Sequence, residues 1–418
     1  MKLRLIVMNF LEFAVWGSYL TSMGTYLGSV GMGGNIGWFY SVQGIVSIFM
    51  PALMGIVADR WVPAQKLLSL CHFMAAIGMI LVAYMGLSGH VDFASLFPFY
   101  AVSVAFYMPT LALSNSVSYN AIDKAHLDAV KDFPPIRIFG TIGFICSMWI
   151  VDLCGLITTP YQFLVCAGWG LLLAAYALTL PACPVGQGGE KRGLVQALGL
   201  DAFRLFGQKK MALFFIFSML LGVSLQITNG FAGPFLNSFQ AVPEYADSFV
   251  AEHSNLLISL SQISETLCIL LIPFFLKRYG IKTVMLIAMF AWVGRFGFFG
   301  LGNPAMPGVL LFVLSCVVYG VAFDFFNISG SLFVDQETAT DIRSSAQGLF
   351  MLMTNGLGAT IGTLSAQAVV NAFTHSEQLN GQFYTVGDWP TIWYIFATYA
   401  LIVGILFAVF FKYKHVRE

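Results

Sequence analysis

Apolar runs of about twenty residues follow one another along the whole chain, separated by short polar breaks. Each is close to the roughly 20 residues that carry a helix across a bilayer. They predict roughly twelve spans, near 5–29, 35–58, 66–88, 93–119, 136–157, 161–181, 211–237, 254–276, 281–301, 308–333, 344–373 and 389–412. One long polar interruption, from Pro184 to Lys210, carries Gly186-Gln-Gly-Gly-Glu-Lys-Arg. It divides the chain into an N-terminal half, 1–183, a cytoplasmic linker, 184–210, and a C-terminal half, 211–418, each half with six spans. The expected fold is an all-α polytopic membrane protein.

Composition agrees. The 418 residues are 58% hydrophobic and only 10% charged, with a mean hydropathy of +0.81. That excludes an ordinary soluble domain. The zero net charge hides a segregation. Of 20 Lys and Arg, only Arg137 and Arg295 are assigned to spans, the others inside those bounds lying at span ends. The rest sit at the termini or in every second loop: Arg60 and Lys66, Lys124 and Lys131, Lys191 to Lys210, Lys277 to Lys282, and Arg343. The opposite loops carry His90, Asp92, Glu244, Asp247, Glu252, Glu377 and Asp388. Positive-inside patterning therefore places both termini in the cytoplasm. Met1-Lys-Leu-Arg leads into a run too long for a signal peptide, so it should be retained as the first span. The seven Cys lack paired spacing and read as packing residues. No zinc, P-loop or dinucleotide pattern occurs, and no nucleophile–base set, so neither a metal, a cofactor nor an enzyme is expected.

Polar residues inside apolar runs are then the candidates for chemistry, because each is costly there. Asp324 lies near the middle of the run 308–334, and on a helix Tyr319, Phe323 and Asn327 share the neighbouring face. The bland alternative is an acid paired with an adjacent helix. In the fifth span Arg137, Thr141 and Phe144 fall on one face, and Gly140 and Gly143 invite close approach of a neighbouring helix. Pro134 and Pro135 suit a helix start. Arg137 reads as cavity-lining, with snorkelling toward the cytoplasm as the alternative. Gln226 and Asn229 share a face of the seventh span, and Gln262 and Glu265 one of the eighth. A single amide between helices is commonly adhesive, at about 0.6 kcal/mol; two matched pairs argue for a site. Glu12 is either a helix-end or a cavity acid, and Arg295 reads as the partner of an acid. His72 sits near a membrane end, which leaves Glu265 and Asp324 as the titrating groups.

The halves echo one another. Gly55-Ile-Val-Ala-Asp-Arg-Trp follows the second span and Leu276-Lys-Arg-Tyr-Gly-Ile-Lys the eighth, while Asn115-Ser116 matches Asn327-Ile-Ser329. Two six-span halves around a central loop resemble the major facilitator superfamily. Its signature loop is similar to the stretch ending in Asp59 and Arg60, although Val62-Pro-Ala-Gln departs from the usual basic continuation. The resemblance implies that Asp59 and Arg60 act as an inner gate; ordinary loop charges are the alternative.

A closer likeness rests on longer motifs. These are Asp132-Phe-Pro-Pro-Ile-Arg-Ile-Phe-Gly-Thr-Ile-Gly-Phe, Phe214-Phe-Ile-Phe-Ser-Met-Leu-Leu-Gly-Val-Ser-Leu-Gln-Ile-Thr-Asn, Ser261-Gln-Ile-Ser-Glu-Thr, and Tyr319-Gly-Val-Ala-Phe-Asp-Phe-Phe-Asn-Ile-Ser-Gly-Ser. With the tail Phe411-Lys-Tyr-Lys-His-Val-Arg, they resemble the nucleoside:proton symporters of bacterial inner membranes, in particular the enteric nucleoside permeases, across essentially the whole chain. The resemblance implies a multi-pass inner-membrane importer, active as a monomer among membrane lipid, that takes a nucleoside and H+ and binds no nucleic acid. It implies a central substrate site at the interface of the halves, lined by Arg137, Thr141, Phe144, Gln226, Asn229, Gln262, Glu265, Tyr319, Phe323 and Asp324. The preferred base stays open, because the family includes a permease specialised for xanthosine.

The residue types make chemical sense on their own. Amides match the alternating donors and acceptors of a base edge, and Phe and Tyr stack on its π-face, at about 1–3 kcal/mol by analogy with stacked bases. A nucleoside is neutral, so a buried acid need not be its counter-ion. Burial favours the protonated carboxyl, which leaves Asp324 to carry the coupling proton and Glu265 to hold ribose. The alternative is a proton-coupled sugar symporter, but sugar sites commonly stack on Trp, and the Trp residues here lie mostly near membrane ends. A nutrient sensor on a transporter fold is the remaining, non-transport reading.

Overall fold

The computed structural model describes residues 1–89, 91–185, 200–339 and 342–413. His90, most of the expected linker and the basic tail from residue 414 lie outside the described residues. The described chain forms two units, Met1–Tyr26 with Val42–Leu198, and Leu27–Ser41 with Gly199–Glu418.

Unit 1 draws on helices α1 (Lys2–Gly17), α2 (Met23–Ser29), α3 (Ile36–Arg60), α4 (Ala64–Leu87), α5 (Phe93–Lys124), α6 (Ala129–Leu153) and α7 (Tyr161–Ala177), less the stretch 27–41. Its central contact is backbone against backbone. A Cβ added at Gly143 on α6 would strike the carbonyl of Phe10, and one at Gly17 on α1 would strike the carbonyl of Phe144. Without a hydrophobic force between helices in lipid, close packing of this kind is what joins them. The expected close approach at Gly143 is thus made by α1. Ser18 and Ser147 add a hydroxyl contact of 2.6 Å across the same pair.

Unit 2 repeats the device. Its helices are α8 (Lys209–Leu225), α9 (Ile227–Ser238), the single turn α10 (Phe249–Glu252), α11 (Ser254–Leu301), α12 (Val309–Glu337), α13 (Arg343–Met351), α14 (Ala359–Phe373) and α15 (Trp389–Phe410). A π-helical stretch, Leu352–Gly358, joins α13 to α14. Here a Cβ at Gly222 on α8 would strike Thr354 backbone, and one at Gly362 on α14 would strike Val223 backbone. The seventh and eleventh expected spans therefore meet as the first and fifth do.

Among the described residues nine helices are long and apolar enough to cross a membrane. The difference from the expected twelve lies in three places. The first run is interrupted at 18–22, between α1 and α2. The sixth is the shorter α7, of 17 residues. The eighth and ninth runs join in α11, where Gly280 (φ 78°, ψ 167°) turns the chain between two helical stretches. Only glycine adopts that conformation cheaply.

Two further expectations are corrected. Pro134 and Pro135 do not start a helix, because α6 begins at Ala129. The earlier turn is held by Lys2–Asp132, an ion pair of 2.6 Å, and by the Asp132 side chain accepting from the Asp128 amide. The residues after the eleventh span are not loop: Thr374–Leu379 and Gln382–Gly387 form an antiparallel hairpin, the one strand pair among the described residues of an otherwise helical protein. Within the two units, Leu27–Ser41 groups with unit 2. Gln367 explains it: its carbonyl accepts from Gly37 N–H at 2.6 Å, and its amide donates to the Gly33 carbonyl at 3.0 Å.

Candidate functional site

In unit 1 the helical period places Arg137, Thr141 and Phe144 along one side of α6, and α1 supplies aromatic rings beside them. The Arg137 guanidinium carbon lies 3.8 Å from the centre of the Phe13 ring. Gly140 allows this, since a Cβ there would sit 2.7 Å from both Arg137 Nη1 and the Phe13 ring. Phe144 meets Trp16 edge-on at 6.3 Å, and Thr141 is half-buried between them along the helix. A cation held over an aromatic face keeps its N–H groups for another acceptor. Phe13 and Trp16 were not among the expected site residues. Their spacing on α1, three residues apart, is the signal that places them on one face.

Unit 2 assembles a second polar and aromatic face from three elements. Gln226 ends α8 with φ −98° and ψ −6°, and Asn229 Nδ2 donates to Gln226 Oε1 at 2.9 Å across the break into α9. The pair expected on one helical face therefore sits at a helix interruption, where amides and backbone are both available to a ligand. Gln262 and Glu265 follow one another by one turn on α11, both half-buried. On α12 the rings of Tyr319 and Phe323 stack 5.6 Å apart with planes 13° from parallel. Asp324 is buried, and its Oδ2 has no hydrogen-bond partner among the described residues. Glu265 lies within electrostatic reach of Asp324 and Tyr319.

Arg295 corrects an expectation. It makes no ion pair among the described residues; its guanidinium lies 5.0 Å from the Tyr319 ring centre and 4.8 Å from that of Phe299, with Nε and Nη1 unpartnered. The aromatic faces, not an acid, compensate its burial. His72 is corrected too. It is fully enclosed and its Nε2 lies 2.7 Å from Glu12 Oε2, so Glu12 is an interior acid. Asp59 and Arg60 are exposed at the C-terminal end of α3.

The unit 2 face offers amides, stacked rings, the cation of Arg295, and two acids within electrostatic reach of one another. Such a face can hydrogen-bond a base edge, stack on its π-face and bind a proton. Comparison with known proteins matches that chemistry. The family model described as "Nucleoside H+ symporter" matches residues 1–416. The chain is 49% identical over 418 residues to the xanthosine permease of Escherichia coli (strain K12), covering 100% of this chain and 97% of that protein. It is 47% identical over 419 residues to the nucleoside permease NupG of the same organism, with the same coverage. The crystal structure of a point variant of the nucleoside transporter NupG superposes with a TM-score of 0.91 at 46% identity, over 98% of this chain and 100% of that one. The chain belongs to the nucleoside H+ symporter family.

Proposed function

We propose that this protein imports nucleosides together with protons, by alternating access, in the inner membrane of a bacterium. The observation that carries the proposal is the cluster in unit 2: the buried carboxyl of Asp324, its Oδ2 without a hydrogen-bond partner among the described residues, in electrostatic reach of Glu265 and beside the stacked rings of Tyr319 and Phe323. The acids take the proton and the rings take the base. Gln226, Asn229 and Gln262 read its edge, and Arg137, Thr141 and Phe144 bind from unit 1. In this reading the chain crosses the membrane twelve times with both termini in the cytoplasm, and works as a monomer. Asp59 and Arg60, at the foot of α3, serve the inner gate.

Coupling one proton to one neutral substrate, at about 100 mV and one pH unit, supplies about 3.7 kcal/mol, enough for accumulation of a few hundred-fold. The test is uptake of labelled uridine by proteoliposomes. Uptake should require an inward proton gradient, collapse with a protonophore, ignore sodium, and be competed by nucleosides but not by free bases or sugars. Sodium-driven uptake, or competition by sugars alone, overturns the proposal; the second result favours a sugar symporter.

A further inference from the structure

Glu12 on α1 and His72 on α4 both belong to unit 1, whereas Glu265 and Asp324 belong to unit 2. Both side chains are fully enclosed, with His72 Nε2 2.7 Å from Glu12 Oε2. The other carboxyl oxygen, Oε1, accepts from Thr110 Oγ1 at 2.5 Å, and Tyr107 donates its hydroxyl to the Glu12 carbonyl at 2.9 Å. This is a held geometry: every polar atom of the carboxyl has a partner on another helix.

The pair has two charge states. With the carboxylate beside a neutral imidazole it carries a net negative charge in an apolar interior. With one more proton, on either group, it is neutral overall. Net charge is costly in such an interior unless neighbours compensate it. What else faces the pair decides whether it can let go. From α4 comes the thiol of Cys71, from α5 the phenol of Tyr107, from α7 the thiol of Cys166, and from the interruption after α1 the phenol of Tyr19. All are neutral in their ordinary state. The full charge found beside them among the described residues is Arg137 on α6, whose electrostatic effect on Tyr107 is opposite to that of Glu12. Its guanidinium lies over Phe13, the residue next to Glu12. A cation there offsets the negative charge left when the proton departs.

A route and a mechanical link are also present. His72 Nδ1 is buried without a hydrogen-bond partner among the described residues, and the imidazole borders a small cavity, shared with Tyr19, Ser103 and Tyr107, with room for about one water molecule. Tyr107 meets the His72 ring edge-on at 5.9 Å and Trp16 at 5.9 Å, and Trp16 meets Phe144.

We propose that Glu12 and His72 form a second proton-binding site, which takes up and releases one proton under the influence of Arg137. It goes beyond the proposed transport cycle, whose proton was assigned to unit 2, and it does not depend on the identity of the substrate.

The test is histidine NMR on the full chain in detergent, without nucleoside, over a pH series, with protons as the only ligand. The six imidazoles are few enough to resolve, and His72→Gln identifies the signal of His72. We expect a protonation step at His72 that Glu12→Gln weakens by at least tenfold in proton affinity. Arg137→Gln should move it the opposite way. Thr110→Val, which removes one hydroxyl with its contacts to Glu12 and to the Tyr107 carbonyl and leaves both titrating groups, should shift it in a protein that folds even where the pair variants do not. A His72 signal that is constant across the series, or one that titrates alike in wild type and in Thr110→Val and Glu12→Gln, overturns the proposal and leaves a fixed structural ion pair. Because no nucleoside is present, this outcome is independent of the uptake experiment.

Discussion

The rings of Tyr319 and Phe323 stack 5.6 Å apart, one helical turn from each other on α12, with Asp324 immediately following. Trp292 buttresses Tyr319 edge-on at 5.9 Å and Arg295 lies over its face. Tyr319 is thus fixed by neighbours, whereas Phe323 is half-buried with a face to offer. Phe323→Ala should weaken nucleoside binding by about 1–3 kcal/mol through lost stacking. Calorimetry on the purified variant checks this. Wild-type affinity would place the base elsewhere.

The glycine contacts predict a sharp contrast in stability. Gly143→Val and Gly362→Val each drive a side chain into the backbone of the helix opposite, at Phe10 and Val223. Overpacking of this kind costs typically 1–3 kcal/mol, and more where only backbone is available to yield. Both should lower Tm and expression. Gly168, with nothing within 4 Å of a built Cβ, should accept Ala with no loss and with the usual gain in helix propensity. A thermal-shift series on the three variants reads the difference.

Asp388 caps α15. Its carboxyl accepts from the Thr391 hydroxyl at 2.6 Å and the Thr391 amide at 3.2 Å, and these bonds, the hydroxyl first, hold it below the usual carboxylate range. A depressed folded value means that the charged cap stabilises the fold above the unfolded value and loses that effect as pH falls through the folded one. Asp388→Asn should therefore lower Tm at neutral pH. The gap to wild type should close as the medium is acidified below the ordinary carboxylate range. A gap that stays constant with pH would show that charge at the cap is irrelevant.

Periodicity made one face of this site readable and hid another. Arg137, Thr141 and Phe144 share a side of one helix, so spacing alone aligns them. Phe13 and Trp16 join them only through the meeting of α1 and α6, which glycines at positions far apart in the chain permit. His72 and Glu12 stand sixty residues apart in sequence, and no local pattern links them. Interruptions were equally silent. Nothing at Gln226 resembles a helix breaker, yet α8 ends there, while the Gly280 turn vanished inside a basic loop. The hairpin 374–387 escaped because its polar residues, flanking two apolar runs, read as a connection.

The remaining question is which acid moves the transport proton. Asp324 is buried between the aromatic residues Phe323 and Phe325, and its Oδ2 has no hydrogen-bond partner among the described residues. Glu265 is half-buried and lies one turn from Gln262 on the same helix. The drier carboxyl suits a proton carrier, since its charge has the least compensation; the wetter one beside an amide suits a ribose ligand. Asp324→Asn mimics the protonated acid. It should keep nucleoside binding and counterflow and lose proton-driven accumulation. Glu265→Gln should instead lose affinity, by more than about 1 kcal/mol if a bond to a charged group is removed. Counterflow and gradient-driven uptake measured on both variants separate the roles. Asp324→Asn that still accumulates uridine against its gradient would refute the assignment, and the two phenotypes exchanged would reverse it.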